Sequence, residues 1–183
     1  MPPTPPTFMN TRLLFLIAAG CLCGVYDAHG QDFFDDEPPE FLPGLVAEYR
    51  SPSGTIRRLD ADIAFDWTTV SPDPRLSADE PFRGKWEGIL HVKENGPFRL
   101  SVFACGQVSL VLEDRPILDA SPQHPQWLES EPIELRFGNY PLRIAFEKTG
   151  PEAQLKLFWT GPSFSLEPIP PRHLLHAADE KLP

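Results

Sequence analysis

Between residues 82 and 119 apolar and polar residues alternate with a period of two in three consecutive runs. Trp86, Gly88, Leu90 and Val92 share one face of the first, Phe98, Leu100 and Val102 one face of the second, and Val108, Leu110 and Leu112 one face of the third. Glu87, His91, Arg99, Ser101 and Ser109 occupy the opposite phase. Successive strand side chains point to opposite faces, so each run predicts a strand with one dry side and one wet side. Asn95-Gly96 supplies the positive φ of a tight hairpin, and Asp114-Arg115-Pro116 punctuates the next turn. The block therefore reads as an antiparallel meander that carries half of a core.

The same period returns downstream. Ile133, Leu135 and Phe137 alternate with Glu134 and Arg136, and Gly138-Asn139 offers a primed hairpin turn. Leu142, Ile144 and Phe146 form the next inward row, and Leu155, Leu157 and Trp159 the last. Thr149-Gly150-Pro151-Glu152 and Gly161-Pro162 break the runs. Ser51-Pro52-Ser53-Gly54 and Ser71-Pro72-Asp73-Pro74 mark surface loops, and Phe65 and Trp67 between them read as core. No segment has helical periodicity, and the 23 prolines favour turns and sheet edges. The fold class predicted is all-β: an antiparallel sandwich or barrel.

Composition adds boundaries. A chain of 183 residues with 41% hydrophobic content suits one ordinary domain. Leu13 to Cys23 is an apolar run behind Arg12, too short to span a bilayer, followed by Ala28-His29-Gly30. Residues 1–30 read as a secretory signal peptide, with Gln31 the first mature residue and Met9 an alternative start. Ala19-Gly20-Cys21 offers a lipoprotein alternative at Cys21. Residues 31–43 form an acidic, proline-containing leader, the domain runs from 44 to 175, and 176–183 are a short polar tail. Cys21 and Cys23 fall in the signal, so Cys105 alone leaves no disulfide framework. The formal charge is −10, which repels phosphate backbones and argues against nucleic acid.

Catalytic signatures are missing. Gly161-Pro162-Ser163-Phe164-Ser165 lacks the closing glycine of a nucleophile elbow, and no phosphate-cradling loop or His-Glu-x-x-His occurs. His173 and His176 stand three apart, as metal ligands or as part of a frayed tail. No cofactor or metal is expected.

The ordered set Trp86-x-Gly88-x-Leu90, Phe98-x-Leu100-x-Val102, Val108-x-Leu110-x-Leu112 and Ile117-Leu118-Asp119 resembles the protective-antigen fourteen-kilodalton, or PA-14, domain. Gly44 to Tyr49, Phe65-Asp66-Trp67, Leu155 to Trp159 and Ile169 to Leu174 extend the resemblance over most of the chain. It implies a β-sandwich that recognises sugars or cell surfaces. Sugar-binding members place two adjacent aspartates in the loop after the second of the three runs, where they chelate calcium. Here that loop reads Phe103-Ala104-Cys105-Gly106-Gln107, with no carboxylate for a hard cation. What remains for a ligand is the loop 119–131, where Trp127 could stack on a sugar with Asp119, His124 and Gln126 as polar contacts, or else plug the sandwich end. The expectation is a secreted or envelope-associated, non-catalytic module with a glycan or cell-surface protein as partner. The alternatives are an adaptor that docks an envelope enzyme and, third, a small glycoside hydrolase.

Overall fold

Alternation this regular needs two sheets whose dry faces meet, and the computed structural model, described for residues 40–179, has them. The strands are β1 (Phe41–Pro43), β2 (Leu45–Ser51), β3 (Gly54–Asp60), β4 (Ala64–Asp66), β5 (Arg83–Val92), β6 (Gly96–Cys105) and β7 (Gln107–Leu112). They continue as β8 (Arg115–Ala120), β9 (Gln126–Glu129), β10 (Ile133–Leu135), β11 (Gly138–Glu147), β12 (Gln154–Gly161), β13 (Phe164–Pro168) and β14 (Leu174–Ala177), with a 3-10 turn at Pro171–His173 before the last. In the larger sheet β5 lies beside β11, which continues through β7 to β8. The other flank of β5 is shared by β2, with β3 outside it, and by β14, with β1 outside it. In the smaller sheet β6 and β12 form the centre. β9 and β10 line the far flank of β6, and β4 and β13 that of β12. Every pairing is antiparallel.

The predicted inward rows are the core. Trp86, Ile144 and Leu110 sit side by side in register across β5, β11 and β7. Leu100 faces Trp159, and Val102 faces Leu157, across β6 and β12. All are buried. Trp67 is buried and Phe65 packs against the core, as their sequence context predicts. The two rings stack at 4.8 Å and extend an aromatic cluster with Tyr49, Phe82, Trp86 and Phe146.

The meander is corrected. β5, β6 and β7 are not neighbours: β5 and β7 lie in the larger sheet with β11 between them, and β6 lies in the facing sheet. Asn95-Gly96 and Gly138-Asn139 are not hairpin tips but links from one sheet to the other. Both sheets bury their inner faces in one core, so a period-two run looks the same whether the chain folds back or crosses over. Asn95 Oδ1 accepts the Phe137 N–H at 2.7 Å and ties the two links together. The crossing from β6 to β7 depends on Gly106, whose φ is +123°. A Cβ there would lie 2.7 Å from Phe146 Cζ and 2.8 Å from the Glu147 carbonyl oxygen. Only Glu113-Asp114, between β7 and β8, makes the hairpin predicted at that point.

The domain limits also move outward. Phe41–Pro43 pairs with Leu175–Ala177, so the sheet takes in residues assigned from sequence to leader and tail. A three-residue edge strand is too short for its period to be read. The signal peptide, the Cys21 alternative and most of the acidic leader lie outside the described residues.

Two substitutions test this arrangement. Gly106→Ala should cost at least the roughly 1–3 kcal/mol of forcing a side chain into a sparsely allowed φ, plus displacement of Phe146. Leu110→Ala should cost about 2–5 kcal/mol through lost transfer energy and a residual cavity. Denaturant titration measures both, and a wild-type midpoint for Gly106→Ala would show that the crossing does not need glycine.

Candidate functional site

The four residues expected to share a loop site do not converge: Asp119 lies on the larger sheet, and His124, Gln126 and Trp127 lie on β9 and the link before it. Asp119 lies on β8, paired with Ser109, and so faces outward from the larger sheet. Trp127 lies on β9, paired with Phe103, and faces outward from the smaller sheet. The two outer faces point away from each other. Gln126 neighbours Trp127 on the strand and projects to the opposite side. His124 is exposed in the short link before β9. That link is held by Gly106 N–H donating to the Pro122 carbonyl at 2.9 Å.

Trp127 is therefore neither a plug at the sandwich end nor a loop residue. It is 49% exposed on the outer face of the smaller sheet. Its ring meets Phe158 edge-on at 4.8 Å and Phe103 at 5.3 Å. Ser101 lies between Glu129 and Phe158 in register; it is buried, and its hydroxyl has no protein partner. Lys156 pairs with Phe103 and holds its ammonium 6.0 Å from the centre of that ring. Phe103, Phe158 and Lys156 were missed by sequence reasoning. Their signal was apolar residues in the outward phase: Phe103 follows Arg99 and Ser101, and Phe158 follows Lys156, on the same sides of β6 and β12.

The outer face of the larger sheet differs in kind. Arg83 grips Glu147 with two hydrogen bonds of 2.9 and 3.2 Å. Lys85 pairs with Glu87, Arg50 with Glu48, and Arg143 with Asp114. These exposed pairs each contribute at most about 1 kcal/mol and occupy one another's charge.

A buried polar cluster, also unforeseen, sits under β2, β3 and β5. Asp60 continues the inward phase of Ile56 and Arg58 on β3. Its Oδ2 accepts from Tyr49 OH at 2.6 Å and from Trp86 Nε1 at 2.8 Å, and its Oδ1 from Arg58 Nε at 2.8 Å. Burial, and then the Asp60 charge, push the Tyr49 hydroxyl well above its ordinary range, so it stays a donor. Arg58 also donates to the Pro72 carbonyl at 2.8 Å and pins the loop between β4 and β5. Every polar atom here is engaged within the protein, so the cluster holds structure together.

The model of the PA14 domain matches residues 42–172. The chain belongs to the PA14 domain family. Among curated proteins nothing matches it. Among solved structures it is similar to an anti-sigma factor domain-containing protein from Clostridium clariflavum (22% identity, TM-score 0.67), covering 73% of this chain and 47% of that one. The chain thus spans about half of that protein's length. It is also similar to a PA14 sugar-binding domain from an RTX adhesin (15%, TM-score 0.57, 74% and 99% covered). A third is the epithelial adhesin 9 A domain from Candida glabrata in complex with Galβ1-4GlcNAc (10%, TM-score 0.61, 76% and 91% covered). At these identities the likeness is one of fold.

At the link between β6 and β7, where the resemblance implies paired aspartates on Ala104-Cys105 or Cys105-Gly106, no side chain carries an oxygen. Ala104 and Cys105 are both buried. Burial, reinforced by Glu152, pushes the Cys105 thiol up, so it stays neutral. A hard cation takes converging oxygens, and these two side chains offer none.

The histidines near the C-terminal end are not on a frayed tail. His173 and His176 are both buried, and each ring Nδ1 meets a backbone carbonyl: His91 at 2.7 Å and Gly44 at 3.0 Å. His173 also packs on Trp159 at 4.7 Å. Burial pulls the His173 imidazole below its ordinary value. The unfolded chain therefore binds this proton more readily than the folded one. Stability should be flat above the ordinary histidine value of about 6.5 and fall as pH drops below it. Denaturant midpoints against pH measure the slope, which His173→Gln should make shallower. Removing the Asp60 carboxylate, in Asp60→Ala, should cost about 3–5 kcal/mol, because Tyr49 and Trp86 lose their acceptor and Arg58 keeps as its ion pair only the longer contact to Asp73, at 3.8 Å.

Proposed function

We propose that this PA14 domain is a secreted, non-catalytic recognition module that binds carbohydrate on the outer face of its smaller sheet, without calcium. The observation that carries the reading is Trp127, half-exposed on an outer sheet face with Phe103 and Phe158 against it. An exposed aromatic face offers the apolar side of a sugar ring a surface to stack on, while a few polar groups at its margin set orientation. Lys156, Glu129 and Arg99 are those groups here, all in the outward phase. The similar structures described as a sugar-binding domain and as a glycan complex support the reading at the level of fold. Export rests on Arg12, the apolar run behind it and Ala28-His29-Gly30.

A second reading, docking of a protein, is favoured by the continuity of the three rings and by Leu166, 45% exposed on neighbouring β13. Large contiguous apolar patches mark such surfaces.

The test is a glycan array with the wild type and Trp127→Ala. Binding that the variant loses, with an unchanged β-sheet dichroism spectrum, supports sugar recognition. A blank array for both proteins removes it in favour of docking. Calcium independence has its own check. A ligand bound only to the native state adds about 2.7 kcal/mol at a hundredfold excess over its dissociation constant. Thermal melts in millimolar calcium and in chelator should coincide.

A further inference from the structure

The cations around Trp127 differ from four that line the outer face of the larger sheet. On the larger sheet Arg50, Arg83, Lys85 and Arg143 each have a carboxylate at 2.6–2.9 Å. On the smaller sheet Lys156 and Arg99 have none among the described residues. Arg99 reaches only the Ser130 carbonyl, at 3.3 Å. Lys156 leans over Phe103 instead. Asp66, on neighbouring β4, feels the Lys156 charge but makes no ion pair with it: its Oδ1 takes the Thr68 N–H and its Oδ2 takes Gln154 Nε2. The two cations bracket the aromatic cluster. Register places Lys156 in the row of Phe103 and Trp127, and Arg99 two rows on, past the row of Ser101 and Phe158.

A protein of net charge −10 has acids to spare for its cations. Leaving two of them without a carboxylate beside the exposed aromatic face gains nothing for the fold. We infer that the sugar this face takes is acidic: a saccharide bearing a carboxylate, such as a uronic acid, with its ring on Trp127 and Phe103 and its carboxylate against Lys156 or Arg99. The inference rests on the carbohydrate reading of the same face. Lys156 lies two strands from Trp127, roughly 10 Å at the usual strand spacing, so one chain of linked rings can touch both. Glu129 lies at the edge beside Trp127, in the row of Ser101. It repels a carboxylate there and directs the acid inward, toward β12. Cation and carboxylate then meet beside rings that exclude water, where their attraction is less screened than in bulk solvent.

The test titrates the full chain, by calorimetry, with oligosaccharides of galacturonic, glucuronic and mannuronic acid, each paired with its neutral methyl ester. At least one acid should bind more tightly than its own ester by roughly fivefold, the product of two exposed charge contacts. The gap should close in Lys156→Gln/Arg99→Gln. It should also close when salt rises from about 0.1 to 1 M, as the screening length falls from about 10 to about 3 Å. Equal binding of acids and esters, lost in Trp127→Ala, overturns the acidic preference and leaves the sugar-binding reading standing. A preference for acid that survives the double variant overturns the assignment to Lys156 and Arg99. Binding that survives Trp127→Ala overturns both, and no binding by any pair overturns the acidic preference while the glycan array still decides the carbohydrate reading.

Discussion

Everything in this fold follows from one constraint: each strand has a single dry face, and all the dry faces must meet in one layer. The chain satisfies it by changing sheet at most of its links rather than by completing one sheet and then the other. Neighbours in space are therefore distant in sequence. β5 lies between β11 and the pair β2 and β14, and none of these adjoins it along the chain. Local hairpins form at β2–β3, β7–β8 and β12–β13, but they do not set the order of the central strands. The crossings must be right, and at Gly106 correctness means a left-handed backbone with the Phe146 ring closed over it.

A purely apolar layer would leave the order of β2, β3 and β5 weakly determined, since one inward row of Leu and Val is much like another. Asp60 removes that freedom. Its two oxygens take donors from three separate strands, and a register slip in any of them would leave a buried charge or a buried donor unpaired. Arg58 extends the constraint to the long link before β5 through the Pro72 carbonyl. Beyond it, Asp73 is held down at about 2 by Arg75, so the link keeps its own charge pair until strongly acid conditions. The polar cluster thus selects one arrangement among several that apolar burial alone would tolerate.

This explains what was legible in the sequence and what was not. Inward rows were legible because period two is a property of single strands: Leu110, Leu142 and Trp159 are buried as their phase requires. Family membership was legible because the order of such rows survives even where no single motif is specific. Pairing was not, because Asn95-Gly96 and Gly138-Asn139 present the same residues whether they close a hairpin or pass to the facing sheet. The binding face was illegible for a related reason. Trp127 was read with Asp119 and His124, its neighbours in sequence, yet its neighbours in space are Phe103 and Phe158, contributed by β6 and β12. The clue was present as two aromatic residues in the wrong phase of otherwise regular strands.

That phase error bears on function because outward positions answer to solvent, not to the core. On the larger sheet solvent has its usual answer: alternating signs, paired at short range. On the smaller sheet two phenylalanines and a tryptophan occupy positions where a polar side chain would cost the fold nothing. Water gains nothing from meeting them, and the core does not use them. Their mutual packing, at 4.8 and 5.3 Å, recovers part of the exposed area and leaves Trp127 as the open side of the cluster. Apolar rings facing outward, with Lys156 and Arg99 beside them making no close ion pair among the described residues, describe a surface whose complement is another molecule. The complement it describes is apolar on one side and negatively charged at its rim.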